Sequence, residues 1–479
     1  MKKLALAING LWMLSFISCA QQTLPAGKEI PDQLPSLPAA FPTAEGFGKY
    51  ATGGREGKVY IVSTLDDKGP GSFREAAEAK GKRMIVFAVS GTIHLETKLL
   101  IKGEVTIAGQ SAPGDGICLA DNSVGLGGDN IVVRYLRFRM GDKYQKGGMV
   151  DGNGGDDAFG GTRRKFIIID HCSLSWSTDE VFSVYAGDST TLQWNMIYEP
   201  LNYSYHFETG DKDYEHHGYG AIWGGRHLTA HHNLFAHCNN RNPRFDGIRN
   251  SPEENVDYRN NVIYNWGVNS IYAGEGGNYN LVNNYFKYGP STSKSSLYKI
   301  VSPGKWEKPV IPYGKFYVNG NYVDGSKDVT NNNWLGIEMG NKGTEEDKKE
   351  AIISQPHSFE PLLSVQTAEE AYAAVLRSAG ASYKRDTLDA RIIMNVQNRT
   401  GGFIDVQGGY PHGTEYDLTV NAWPALRSVA PSPDNDKDGM PDEWEKKNGL
   451  NPSDPADAAG YKLSKGYTNI EVYLNSLVK

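Results

Sequence analysis

Cysteine is scarce in this chain, with four residues in 479 and no Cys-x-x-Cys pair. A disulfide-built scaffold is therefore excluded, and the usual spacing of a structural zinc site is missing. Basic residues do not predominate either: 49 Lys and Arg face 56 Asp and Glu, for a net charge of −7, which argues against nucleic acid as a partner. Long apolar runs are equally rare. One, Leu4 to Ile17 behind Lys2 and Lys3, is too short to span a bilayer comfortably and reads as a secretory signal over residues 1–18. The middle of the chain shows no sustained helical period, only short β-rich runs between turns.

Phe16-Ile-Ser-Cys19 resembles a bacterial lipobox with Phe in place of the usual Leu, which makes Cys19 the expected lipidation site. The competing reading is ordinary cleavage at Ser18-Cys-Ala20, releasing Gln21. Either way the protein is expected to be exported, as an outer-membrane or cell-surface lipoprotein or as a secreted or periplasmic protein, with the membrane touched only through the lipid. Residues 19–40, with Pro25, Pro31, Pro35 and Pro38, read as an extended tether. Cys118, Cys172 and Cys238 then remain in the body, as buried thiols or at most one disulfide.

What is abundant is turn chemistry: 55 Gly, 27 Tyr and a recurring Asn. Six short strand patterns each end in a bend residue, at Cys172, Asn195, Asn233, Asn261, Asn284 and Asn321. The shortest step, 23 residues, occurs twice, and the others read as the same unit with inserted loops. Such a pitch suits the coils of an all-β, right-handed parallel β-helix, each pairing with the coils above and below. Asn at one bend fits, because it tolerates left-handed backbone and can bond to its counterpart in the next coil. A β-sandwich or propeller with Asn-rich turns is the competing arrangement. Gly69-Pro-Gly-Ser-Phe-Arg-Glu-Ala76, with Ser72 as N-cap, predicts a helix that covers the open end of the solenoid. Thr367-Ala-Glu-Glu-Ala-Tyr-Ala-Ala-Val-Leu376 has helical spacing and should pack across it.

Several motifs fall in order along residues 41–425: Ala44-Glu-Gly-Phe-Gly48, Gly69-Pro-Gly-Ser-Phe-Arg74, Ala112-Pro-Gly-Asp-Gly-Ile117, Val133-Arg-Tyr-Leu-Arg-Phe-Arg139, Ile169-Asp-His-Cys-Ser-Leu-Ser-Trp-Ser-Thr-Asp-Glu180 and Asn240-Arg-Asn-Pro-Arg244. Together they resemble the pectate lyases of polysaccharide lyase family 1, in the branch of fungal pectate lyase C and many Bacteroidetes enzymes. That resemblance implies β-elimination in polygalacturonate with Ca2+ as cofactor. The ion would acidify the C5 proton and make an acidic protein compatible with an acidic polymer.

Carried over residue by residue, the resemblance makes Asp157 and Asp179 the calcium-binding acids, with Asp156 and Glu180 as adjacent alternatives; neighbours on a strand point to opposite faces, so only one of each pair should reach a given ion. Arg241 matches the catalytic arginine. It would either abstract the C5 proton, with a rate that climbs at alkaline pH, or stay charged and stabilise the enediolate. Asp170 and His171 match a structural pair near the site. A zinc site of His171, His231 and His232 is disfavoured because adjacent histidines on a strand diverge. In two places the chain departs from the family: Tyr219 or His217 stands where a lysine is usual, and Asp246 where a further arginine is usual. Substrate carboxylates would then meet Tyr219, His217 and Arg244, or Arg249 or Arg226. Trp176, Trp223, Trp266 and Tyr272 are candidates for a sugar groove or for core stacks. A polygalacturonase-like hydrolase would need clustered catalytic carboxylates with a general acid, and its Asn-Thr-Asp and Gly-His-Gly signatures are missing. A non-catalytic glycan-binding β-helix would have no use for Arg241 beside acidic ligands. A monomer is expected.

A second calcium signal lies in the tail, residues 426–479. Asp434-Asn-Asp-Lys-Asp-Gly-Met-Pro-Asp-Glu-Trp-Glu445 fits the twelve-residue EF-hand loop. Asp434, Asp436 and Asp438 would give side-chain oxygens, Met440 a carbonyl, Asp442 a water-mediated contact and Glu445 a bidentate carboxylate. Pro424, Pro431 and Pro433 leave no room for a preceding helix, so a structural ion that fastens the tail is expected.

Overall fold

The computed structural model describes residues 38–148, 155–207, 216–362 and 364–478. The expected signal, Cys19 and the expected tether up to residue 37 lie outside them, whereas Ala39 and Ala40, expected in the tether, pack with Phe41 and Ala44. Residues 38–479 form one compact unit, and no helix among the described residues is long and apolar enough to cross a membrane.

Strand pairing repeats coil after coil, and the ladders that join successive coils are parallel. Along one face, which we term sheet A, Ile85 pairs with Ile107, Ile107 with Val133, Val133 with Ile169, Ile169 with Leu192, Leu192 with Ala230, Ala230 with Tyr258 and Tyr258 with Leu281. Sheet B follows in each coil (Leu119, Phe138, Leu174, Ile197, Phe235, Ile263, Phe286), and then sheet C (Phe159, Phe182 and their partners). This is a right-handed parallel β-helix. Alternate residues point inward and stack within and between coils: the Phe138 and Phe159 rings of one coil lie 4.2 Å apart, Phe159 and Phe182 of successive coils 5.5 Å, and Phe245 and Tyr279 4.6 Å. Each such buried side chain is worth roughly 1.5–3 kcal/mol.

The bend between sheets A and B carries the repeated Asn. Asn195 Nδ2 donates to Asn233 Oδ1 at 3.0 Å, Asn233 to Asn261 at 2.9 Å, Asn261 to Asn284 at 3.1 Å, Asn284 to Asn321 at 2.9 Å, and Asn321 to Asn333 at 3.0 Å. Cys172 opens the series by donating its backbone N–H to Asn195 Oδ1. One residue earlier in each coil the backbone is left-handed, and Tyr135, His171, Trp194 and His232 form a second stack there, with centroids 4.7, 5.7 and 4.2 Å apart. Burial pushes His232 down to about 4 and His231 well below its usual value. Both are neutral core imidazoles, His231 Nδ1 lying 2.8 Å from His232 Nδ1.

The first coil is covered by the helix Phe73–Glu78, whose Ser72 side chain accepts from Glu75 N and which buries Phe73, Ala76 and Ala77. The helices Ala368–Ser378 and Thr387–Asn398 lie over sheet B. Asp389 at full burial joins Arg139, Ser173 and Tyr198 to the second of them. Trp176, Trp223 and Trp266 are fully buried and belong to the core, not to a groove. Cys118, Cys172 and Cys238 are buried free thiols, and burial raises Cys118 and Cys172 to about 12.

Candidate active site

The corner between sheets B and C places the acidic residues. Parallel pairing sets Phe159 against Phe182, and an isolated bridge joins Glu180 to Tyr219 and Tyr219 to Asn240. Asp157, Glu180, Tyr219 and Asn240 therefore occupy one row across four coils, with Asp179 and Arg241 beside it.

Asp157, Asp179 and Glu180 each offer one oxygen, all within 4.8 Å of one another; both members of the 179/180 pair reach one cluster, against the strand expectation, because the chain bends at Thr178 and Asp179 and is not a strand there. Asp157 also accepts from Glu180 N at 3.2 Å. Burial, and then the charge of Asp179, push Asp157 well above the usual carboxylate range, against the pull of Ser183 and Arg241. Three converging carboxylates in this setting form a hard oxygen donor set, and they fit a calcium ion. Asp156 stands apart: its carboxylate is held by Lys98 and by Gln145 Nε2.

Arg241 lies against this cluster. Its guanidinium sits 3.9 Å from the centroid of the Tyr219 ring and pairs with Glu180. Its backbone is left-handed, φ 59°, an unusual state for a residue with a side chain. Gly220 makes that placement possible, since a Cβ there would lie 2.5 Å from the Arg241 carbonyl. Gly220→Ala should displace Arg241 and lower turnover at least 10-fold with little change in substrate affinity, which steady-state kinetics would show.

His217 stacks on Tyr219 at 4.3 Å, and its Nδ1 lies 3.6 Å from Asp179 Oδ1. His206 packs on His217 at 3.6 Å, with Nε2 3.8 Å from Asp179 Oδ2. His206 and Ser183 escaped the sequence reading. Ser183 is legible only through the coil register, and His206 sits in an insertion with no motif.

Arg244 is not open to a substrate carboxylate. It is buried, donating to Glu275 at 3.0 Å and to the Phe245 carbonyl at 2.7 Å. Arg249 is partly exposed with its guanidinium 4.4 Å from the Trp306 centroid, and Arg226 faces Glu253. Asp170 and His171 lie at the bend between sheets A and B, away from the acidic row. Asp170 accepts from Arg134 Nε, His171 Nδ1 and Gln193 Nε2 at 2.7–2.8 Å, and His171 and Arg134 hold it below the usual carboxylate range against the cost of burial.

The tail folds back over the first coils, where Met440, Ile470 and Leu474 pack with Met84 and Val86. Gly439, φ 89°, comes so close that a Cβ would lie 3.1 Å from Val59 and 3.2 Å from Val86. Asp434 accepts from Asp438 N and Gly439 N, which shapes the loop. Asp434, Asp436 and Asp438 converge, and so do Asp438, Glu445 and Asp457. Burial and mutual repulsion raise Asp438 to about 8 and Glu445 to about 7. Because these values exceed the roughly 4 of an unfolded carboxylate, the folded state binds more protons between pH 4 and 8. In chelator, stability should therefore fall as pH rises through that window. Thermal unfolding at pH 5 and 8.5 should show a drop on the order of a few °C, smaller in Glu445→Gln and cancelled by calcium.

No family model matches the chain. Among curated proteins it is 35% identical over 452 residues to the probable pectate lyase C of Aspergillus flavus, covering 92% of this chain and 94% of that protein. With the probable pectate lyase C of Aspergillus fumigatus it shares 36% over 453 residues, again 92% and 94%. Among solved structures, a Bacillus subtilis pectate lyase variant aligns with 71% of this chain and 96% of its own, at a TM-score of 0.45 and 15% identity. Fold and relatives together define a β-helical polysaccharide lyase. Within that class the chain belongs to the pectate lyase C family.

Proposed function

We propose that this protein is an exported, calcium-dependent pectate lyase that cleaves α-1,4-linked polygalacturonate by β-elimination and releases unsaturated oligogalacturonides. The observation that carries the reading is the placement of Arg241 on the Tyr219 ring, against a cluster made by Asp157, Asp179 and Glu180. Nucleic acid is not a partner in this reading, and the enzyme acts as a monomer.

Asp157, Asp179 and Glu180 would hold the ion. A cation held there would supply Lewis-acid polarisation of a uronate carboxylate, making the C5 proton more acidic. Arg241 has two balanced roles open to it: as a neutral guanidine, its own proton first given up to solvent, it takes the C5 proton; kept as a guanidinium, it stabilises the charge left behind while solvent hydroxide takes that proton. The C5–H electron pair becomes the C4–C5 double bond, the C4–O bond breaks, and the leaving oxygen is protonated from solvent. Tyr219 supports the guanidinium from below, while Glu180 is shared between Arg241 and the carboxylate cluster.

The loop Asp434–Glu445 of the tail binds a structural calcium ion. Its support is the convergence of buried carboxylates around Asp438.

The decisive assay is ultraviolet absorbance of unsaturated products from polygalacturonate, with and without chelator. The expected result is steady growth with calcium, almost none in chelator, and recovery on adding calcium back. Reducing ends released without that absorbance would indicate hydrolysis and reject the lyase reading.

A further inference from the structure

The EF-hand pattern assigns the ninth loop position, Asp442, to the ion through water. Here both Asp442 oxygens are already engaged: Oδ1 accepts from Asn435 N at 2.8 Å and Oδ2 from Asn435 Nδ2. Asp442 closes the loop onto its own first turn, and it is in neither group of converging carboxylates among the described residues.

Another acid takes that place. Asp457 lies beyond the loop, in the short turn Asp457–Ala459, and one of its oxygens is within 4.8 Å of those of Asp438 and Glu445. Asp457 Oδ2 accepts from Asn451 N at 2.9 Å. Its buried Oδ1 has no donor among the described residues, and the same holds for both oxygens of Asp436, Oδ2 of Asp438 and both oxygens of Glu445. Glu445 is fully buried and Asp438 is 2% exposed. Buried polar atoms are almost always satisfied, and leaving several carboxylate oxygens bare in one place is costly unless a cation meets them. The set is all oxygen and flexible in number, which suits calcium better than a smaller or softer ion.

We propose that Asp457, from outside the twelve-residue loop, is a direct ligand of the tail ion in place of Asp442. The proposal rests on the tail-calcium reading above and goes beyond it, because the ion then ties together two separate segments. The Asp457 carbonyl accepts from Asn469 Nδ2 at 2.8 Å, and Asn469 N donates to Gly460 O at 2.7 Å. Asn469 opens the helix Asn469–Ser476, which sets Ile470 and Leu474 on Met84 and Val86 and pairs Glu471 with Arg55 at 2.8 Å. Calcium at Asp457 thus links the loop directly to the helix docked on the first coils, a cross-tie that a loop-only site would lack.

The test uses the full chain carrying Asp157→Asn and Asp179→Asn, so that the tail is the remaining strong site. Terbium is bound and detected by luminescence sensitised through Trp444, then displaced with calcium. Asp457→Asn should weaken binding at least 10-fold, Asp442→Asn less than about 3-fold, and Glu445→Gln should remove it. Thermal unfolding guards against misfolding: in chelator Asp457→Asn should melt no earlier than its parent, yet lose most of the stabilisation by calcium. Unchanged affinity in Asp457→Asn, with binding still sensitive to Glu445→Gln, would overturn the role of Asp457 and leave the tail site standing. Absence of any Glu445-dependent binding would overturn both.

Discussion

Arg241→Ala is expected to lower turnover on polygalacturonate by about 1,000-fold or more, the combined range for losing a positioned proton acceptor or a charge stabiliser. Calcium binding should move the other way. Glu180 pairs with Arg241 and also belongs to the cation cluster, so removing the guanidinium frees a ligand oxygen and a neighbouring positive charge disappears. Calorimetric titration should therefore show calcium held more tightly in Arg241→Ala than in the parent. A merely structural arginine would give weaker calcium binding and a lower melting temperature together. The result that would falsify the mechanism is unsaturated product forming at the parental rate.

Asp179→Asn should show opposite effects with and without calcium. Asp179 contributes an oxygen to the cluster and is the charge that, after burial, raises Asp157. Its removal should weaken calcium binding by about 10- to 100-fold, a loss that even an outer partner of a metal ligand can cause, and activity should then demand correspondingly more calcium. In chelator the same change should stabilise the fold, because Asp157 no longer faces a like charge. Melting curves in chelator and in calcium should thus cross over between parent and variant. A variant less stable under both conditions would show that Asp179 serves the fold and not the ion.

How much was legible depended on whether a feature repeats. The Asn bends were visible as a spacing because every coil has to solve the same problem at the same corner, and the bonds from Asn195 through Asn333 are that solution. The helix at Phe73–Glu78 and its Ser72 cap were visible because capping is local. Pairing between coils was not: the strand Phe182–Gln193 serves both sheet C and sheet A, and register alone decides that Asp157 faces Glu180 while Asp156 turns to Lys98 and Gln145. Arg244 shows the same limit. Its motif position suggests substrate, but Glu275 lies on the neighbouring coil and claims it.

By itself the sequence determined the repeat and hence the solenoid, the acidic and cationic residues available to the site, and the spacing of the tail loop, since each of these is written in residues close together along the chain. Tertiary structure alone decided that Glu180 joins Asp157 and Asp179 while Asp156 turns away, that Tyr219 lies beneath Arg241, that Trp176, Trp223 and Trp266 are interior, and that Asp457 reaches the tail cluster. The physical reason is that a parallel coil brings together atoms some 23 or more residues apart, and side-chain direction there follows from register and burial, which no local pattern records.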